Sequence, residues 1–280
     1  MSVSSAAQYW LDGCALSDPS LSLHPESPSL RSGEGWFETV RVHAGRALRV
    51  EAHLHRLINS ALMWGDDRAR LEGLLERAMT PVWSAIAAQE CACLRLTLLP
   101  AVERHQWPQV LVALSPYEEP SRLYRQGARV ITSKIRHPGL GILGKSLSYH
   151  WSTFARREAA AVGADEVLLG DEHGLLEAST ASLLWSENGR WCSTSGQQGC
   201  LPSVTIEGLR QSGLTIEPRG SVTSQKLQAE GLLLVSALRL VVAVSTLDGA
   251  VLPDRVHCAT LLRERLLEDV AFTQNSANDV

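Results

Sequence analysis

The chain has no excess of basic charge. Its 26 lysine and arginine side chains stand against 30 acidic ones, for a formal net charge of −4, so no polyanion is drawn to it and nucleic acid is not an expected partner. Long apolar runs are also missing. Runs such as 232–235 and 240–244 fall far short of the roughly 20 residues that cross a bilayer. Residues 1–10 carry neither the basic stretch nor the apolar core of a secretory signal, and the expectation is a cytoplasmic protein with no membrane partner. The six cysteines, at 14, 91, 93, 192, 200 and 258, form no CxxC pair and have no histidine nearby at ligand spacing. Neither a metal site nor a disulfide framework is expected. Cys91 and Cys93 stand two apart in a strand-like run, share a face, and read as small core residues. There is no internal repeat and no low-complexity tract. What remains is an ordinary globular composition, 45% hydrophobic and 20% charged over 280 residues, enough to bury a core without staples.

Patterning divides the chain into an α+β first part ending near Ser115 and a second part that mixes strands and helices. Residues 35–43 alternate as a strand, Ala44–Gly45–Arg46 supplies a turn, and 47–50 resume extended structure before a helix near Glu51, a hairpin feeding a helix. Helical spacing follows at 53–63 and 68–88, then strands at 91–99 and 110–114 joined by the polar loop 103–106. The stretch 115–121, with two prolines and two adjacent acids, reads as inter-domain linker. Domains are therefore expected at 1–115 and 123–280, with 116–122 between them. The second part reads as strand 128–133, a Gly-rich turn 139–144, helix 148–162, paired strands 166–169 and 174–177, and short strands near 183 and 190. Helices near 206–212 and from 223, strands 232–235 and 241–244, and an amphipathic helix 256–270 complete it, with a disordered tail from 274.

Lysine is the scarcest charged residue: Lys134, Lys145 and Lys226 are all there are. Lys145 lies among small and apolar neighbours where a Gly-rich loop meets a helix. Desolvation there favours the neutral amine, a nucleophile toward carbonyl carbon; the competing reading is a lysine snorkelling at a helix start. Glu177 ends a strand and precedes Ala178–Ser179–Thr180–Ala181–Ser182, small residues that let a ligand approach the backbone. Its carboxylate suits a protonated heterocycle nitrogen, or equally a helix cap or surface acid. Arg56, on a helix, carries the fork that fits a phosphate, although most helix arginines are simply solvated. The loop 199–206 enters a helix whose first N–H groups, at Val204 and Thr205, suit an anion or an ordinary cap.

These residues fall in a recognisable order. Gly33-Glu-Gly-Trp-Phe-Glu-Thr-Val-Arg41, His53-Leu-His-Arg56, Gly144-Lys-Ser-Leu-Ser-Tyr149, Ala164-Asp-Glu-Val-Leu-Leu169, Glu177-Ala-Ser-Thr180 and Leu201-Pro-Ser-Val-Thr205 together resemble the fold-type IV pyridoxal-phosphate family, across nearly the whole chain. The resemblance implies a small α+β domain and a larger β-rich domain holding pyridoxal 5'-phosphate, usually in a homodimer. It implies Lys145 as the cofactor's attachment, Glu177 at the pyridine nitrogen, and Arg56, Val204 and Thr205 at the phosphate. The carboxylate-held ring then acts as an electron sink while Lys145 shuttles the proton.

Departures from the family pattern bear on the reaction. Ser182 stands where asparagine is frequent, Ser203 where a glycine follows Leu-Pro, and no Thr-Pro occurs at Ser193–Thr194. Val235 replaces a phosphate-binding threonine, so Ser236 is the expected substitute. The Arg-Gly that many relatives carry after the strand ending at Ala101 is absent, which leaves Arg41, Arg95 or Arg136 to take a substrate carboxylate. Ser32 and Cys93 occupy positions where a branched-chain aminotransferase is expected to have tyrosines. The resemblance therefore favours the 4-amino-4-deoxychorismate lyase subgroup, which releases pyruvate and 4-aminobenzoate for folate synthesis. A D-amino-acid or branched-chain aminotransferase is the alternative, and a non-catalytic relative the second.

Overall fold

A computed structural model describes residues 6–268, apart from positions 19, 22–23, 103–107 and 140–143. Two compact units divide between Glu119 and Pro120, and the strip ending at Ser148, which includes Lys145, returns to the first.

In the first unit the elements are β1 (Gln8–Leu11), β2 (Cys14–Ala15), α1 (Pro28–Ser32), β3 (Trp36–His43), β4 (Arg46–Ala47), α2 (Val50–Ala61), α3 (Arg68–Met79), α4 (Trp83–Ala87), β5 (Cys91–Leu99) and β6 (Gln109–Pro116). The strands form one antiparallel sheet in the order β2-β1-β6-β5-β3-β4. Alternation decides its faces. Trp36, Val40 and Val42, with Ala92, Leu94, Leu96 and Leu98 and with Val110, Val112 and Leu114, share a core with Leu57 and Ile58 of α2 and Leu71, Leu74, Leu75 and Ala78 of α3. The opposite face carries Phe37, Thr39 and Arg41 beside Thr97, Arg95 and Cys93.

Three local expectations are corrected here. Cys91 and Cys93 lie on that second face, half-buried, because the core register belongs to their neighbours Ala92 and Leu94. The helix expected over 68–88 is broken by a 3-10 turn at Thr80–Val82, since Pro81 has no N–H for the helical ladder. Extended structure stops at Ala47, and Val50 already begins α2.

The second unit contains α5 (Ser121–Gln126), β7 (Ala128–Thr132), α6 (His150–Ala161), β8 (Glu166–Asp171), β9 (Gly174–Ala178), β10 (Ser182–Glu187), β11 (Arg190–Ser193), α7 (Val204–Gln211), β12 (Ile216–Pro218), α8 (Ser224–Glu230), β13 (Leu233–Ser236), β14 (Leu240–Leu247), β15 (Ala250–Val251) and α9 (Val256–Glu268). Its strands run in the order β12-β11-β10-β13-β14-β7-β8-β9. Pairing of Glu177 in β9 with Ser182 in β10 closes the strands from β10 to β9 into a ring. The ring is packed by apolar side chains that include Ala128, Val130, Leu168, Leu183, Trp185, Leu234, Val242 and Val244. The stretch expected as a linker is short, because β6 runs through Pro116 and α5 starts at Ser121. The polar loop 103–106 and the tail from 274 lie outside the described residues. No helix among the described residues is long and apolar enough to cross a membrane.

Candidate active site

Lys145 is fixed by main chain against the start of β3. The Phe37 N–H donates to the Lys145 carbonyl at 2.8 Å, the Leu147 N–H donates to the Gly35 carbonyl at 3.0 Å, and Ser146 bridges Trp36. Gly144 permits this approach: its φ is +101°, and a Cβ there would collide with the Ser60 hydroxyl on α2. The Lys145 ammonium lies 4.6 Å from the centre of the Phe37 ring, and the Arg95 guanidinium lies 3.9 Å from the same ring. Two cations against one aromatic ring are stabilised by its quadrupole and together attract an anion.

Glu38, one residue on, points to the helix side and is buried. Arg56 grips it with two donors, Nε to Oε1 at 2.6 Å and an Nη to Oε2 at 2.7 Å, while His53 Nδ1 meets Oε2 at 2.7 Å. Burial alone would raise the Glu38 carboxyl, but the Arg56 and His53 charges and hydrogen bonds hold it at about 2. Burial draws the His53 imidazole below its ordinary value against the pull of Glu38, and the Arg56 and Lys145 charges add to the lowering. Arg56 is thus held by Glu38, a partner the motifs did not assign to it.

Of the three arginines offered for a substrate carboxylate, Arg95 is exposed beside Lys145's ring partner. Arg41 is 1% exposed, ion-paired with Glu119 and 5.9 Å from the Tyr117 ring. Arg136 is exposed and paired with Glu172.

In the second unit, Glu177 is buried in β9, set by strand pairing with Leu169 and Ser182. The Leu201 N–H donates to its Oε2 at 3.3 Å, and His137 Nε2 lies 2.6 Å from Oε1. Cys200 completes a buried group of three whose ligand atoms all lie within 4.8 Å of one another. Burial, with the Glu177 charge beside it, pushes the Cys200 thiol up. Spacing along the chain could not reveal this cluster, because His137, Glu177 and Cys200 come from three distant segments.

The loop from Thr194 to Cys200 is folded on itself, Gln197 N–H to the Thr194 carbonyl and Cys200 N–H to the Gln197 carbonyl. It delivers Ser203, whose hydroxyl caps α7 by accepting from the Ile206 N–H at 3.2 Å, while the Ser203 N–H donates to Ser195 Oγ at 2.8 Å. Val204 and Thr205 occupy the first turn of α7, where helix geometry leaves N–H groups without a partner inside the helix. Ser236 ends β13, against which α7 packs. Glu166, a buried carboxylate outside the candidate residues, ties the two neighbouring turns together. It accepts from the Ser179 and Thr180 hydroxyls and from Arg239 at 2.5 Å. Burial opposes its ionisation, but Arg239 and the hydroxyls hold its carboxyl below the usual value.

Each unit taken by itself carries donors whose chemistry suits pyridoxal phosphate: the first an amine held against an aromatic ring and an arginine fork, the second a buried carboxylate and a capped helix start. Comparison with known proteins agrees. Residues 35–247 match the amino-transferase class IV family. A bifunctional aminodeoxychorismate lyase / D-amino acid transaminase of Mycobacterium tuberculosis is 30% identical over 272 residues, covering 87% of this chain and 92% of that protein. Among solved structures, a hypothetical aminotransferase from M. tuberculosis in its pyridoxal-phosphate-bound form superposes with a TM-score of 0.80 at 27% identity, covering 95% of this chain and 99% of that one. The branched-chain amino acid aminotransferase of Escherichia coli shares the fold at a TM-score of 0.80 and 16% identity, with 97% of each chain covered. The chain belongs to the class IV aminotransferases, enzymes that depend on pyridoxal phosphate.

Proposed function

We propose that this enzyme is a lyase that converts 4-amino-4-deoxychorismate to pyruvate and 4-aminobenzoate. The observation that carries the reading is the placement of the Lys145 amine and the exposed Arg95 guanidinium on one Phe37 ring, a reactive amine beside a reader for a substrate carboxylate. Lys145 would hold the cofactor, Glu177 would meet its ring nitrogen, and Arg56, Val204, Thr205 and Ser236 would take its phosphate. When bound, the group supplies an electron sink for the pair left at the substrate's α-carbon. The chain's own contributions are specific. Lys145 Nζ would take the proton from the amine-bearing ring carbon as the C–O bond to the enolpyruvyl group breaks, and pass a proton to that leaving group, which departs as pyruvate; Arg95 would orient the substrate through its carboxylate, and Glu38 fixes the plane of the Arg56 guanidinium. Arg41 is a poorer candidate for the carboxylate because Glu119 already engages it. Assembly as a homodimer is part of this reading, and sedimentation of the purified protein tests it.

A second reading, D-amino-acid transamination, is supported by the M. tuberculosis relative, whose name carries both activities. The two are separated by supplying purified enzyme with aminodeoxychorismate, measuring 4-aminobenzoate, and in parallel with D-alanine and 2-oxoglutarate, measuring pyruvate. The Lys145→Ala variant is expected to lose the borohydride-fixable cofactor and both reactions. A native protein that binds the cofactor yet performs neither reaction would reject both readings and favour a non-catalytic relative.

A further inference from the structure

No motif of the sequence marks His137, yet the structure gives it a defined task. It follows β7, its side chain is buried, and its ring meets Trp151 edge-on with 5.8 Å between centroids. The Gly139 N–H faces His137 Nδ1 at 3.1 Å. A main-chain N–H only donates, so Nδ1 presents its lone pair, and the proton of the neutral imidazole sits on Nε2. Nε2, 2.6 Å from Glu177 Oε1, is therefore the donor. With the Leu201 N–H on Oε2, Glu177 accepts at both oxygens, the pattern of an ionised carboxylate. Close contact of two backbones builds this arrangement. Gly199 has a φ of +78°, and a Cβ on it would strike the Gly139 carbonyl, so glycine there lets the Cys200–Leu201 turn and the His137 loop converge on Glu177.

The same tautomer argues against a metal in the His137, Glu177 and Cys200 cluster. Coordination through Nε2 needs its lone pair, and shifting the proton to Nδ1 would set two N–H groups face to face.

We propose that His137 is a positioning residue that donates through Nε2–H to Glu177 and keeps that carboxylate ionised and aimed at the protonated ring nitrogen of the cofactor. The inference rests on the assignment of Glu177 to that nitrogen. It acts on electronics rather than on attachment, so Lys145 still captures the cofactor when the donor is lost. A hydrogen bond to a charged group shifts an equilibrium about 10- to 100-fold, and that is the change expected in the ratio of protonated to unprotonated ring nitrogen.

The test uses native, His137→Phe and His137→Gln proteins loaded with pyridoxal phosphate labelled with 15N in the ring, read by NMR, alongside steady-state kinetics. His137→Phe is expected to retain borohydride-fixable cofactor, move the ring signal toward the unprotonated position and lose about tenfold or more in kcat with little change in KM. His137→Gln, whose amide can donate, should restore both. A ring signal in His137→Phe identical to that of the native protein overturns the proposal. Should His137→Phe not fold, the imidazole nitrogens of native His137 decide, and a proton found on Nδ1 overturns it. Stoichiometric zinc uptake by the native protein, abolished in Cys200→Ala, would replace the dyad with a metal site. If Glu177→Gln leaves the native ring signal unmoved, the assignment of Glu177 itself fails, an outcome distinct from failure of His137 alone.

Discussion

Removal of the Glu38 charge by Glu38→Gln tests the ion-pair network beneath the candidate site most directly. The carboxyl is 1% exposed and accepts from Arg56 twice and from His53 once, and its value falls from an ordinary 4.5 to about 2. At 1.36 kcal/mol per tenfold change in proton affinity, the difference is about 3 kcal/mol of folding free energy. That agrees with the roughly 3–5 kcal/mol lost when one partner of a buried ion pair is removed. The sign follows from the depressed folded value: the contribution is complete above pH 4.5, declines as pH falls, and is gone below about 2. Urea unfolding of native and variant proteins at pH 7, 5, 4 and 3 is the assay. The variant is expected to be about 3 kcal/mol less stable at pH 7, and the gap to narrow by more than half at pH 3. A gap below about 1 kcal/mol at pH 7, or one that stays constant down to pH 3, refutes the assignment of Glu38 as an ionised, doubly held carboxylate.

Arg95→Met should raise KM for a carboxylate substrate about tenfold or more while leaving kcat nearly unchanged, because the lost contact acts on ground and transition states alike; unchanged KM in steady-state assays would remove Arg95 from substrate binding. Gly144→Ala must place a Cβ against Ser60 at a φ of +101°, and it is expected to destabilise the first unit by about 1–3 kcal/mol and to weaken cofactor capture by Lys145, measured by thermal unfolding and borohydride labelling. Glu166→Gln leaves Arg239 without its carboxylate and should cost about 3 kcal/mol in the same unfolding assay, with a loss under about 1 kcal/mol counting against the buried pair.

Periodicity in the sequence carries the elements that repeat. The strand expected over 91–99 is β5 as observed, and the hairpin around Ala44–Gly45 forms, with a second strand shorter than expected and confined to Arg46–Ala47. Physical reasons account for what it missed. Pro81 interrupts a helix whose apolar spacing continues across it, so spacing alone runs on to Ala88. The faces of β5 depend on which alternate set meets α2 and α3, a tertiary choice that excluded Cys91 and Cys93 from the core. β1 and β2 are short strands, β1 held to the sheet by pairing with β6 and β2 by pairing with β1, rather than by a pattern of their own. At the candidate site, Lys145, Glu177 and Arg56 could be nominated from the sequence because they sit in ordered motifs. His137, Glu166 and the Glu38 clamp were not, since each is defined by what it touches across many intervening residues.

Closure of the second unit's strands has a consequence for how this protein behaves among other chains. A strand hydrogen-bonded on both sides offers no template for a foreign strand, and Glu177 with Ser182 makes the last stitch in that ring. The outlying strands β12 and β15 are three and two residues long, and β12 ends in Pro218, which has no N–H to donate. Such brief, interrupted borders resist the edge-to-edge accretion that begins aggregation, and the residue proposed to meet the cofactor closes the ring with its main chain.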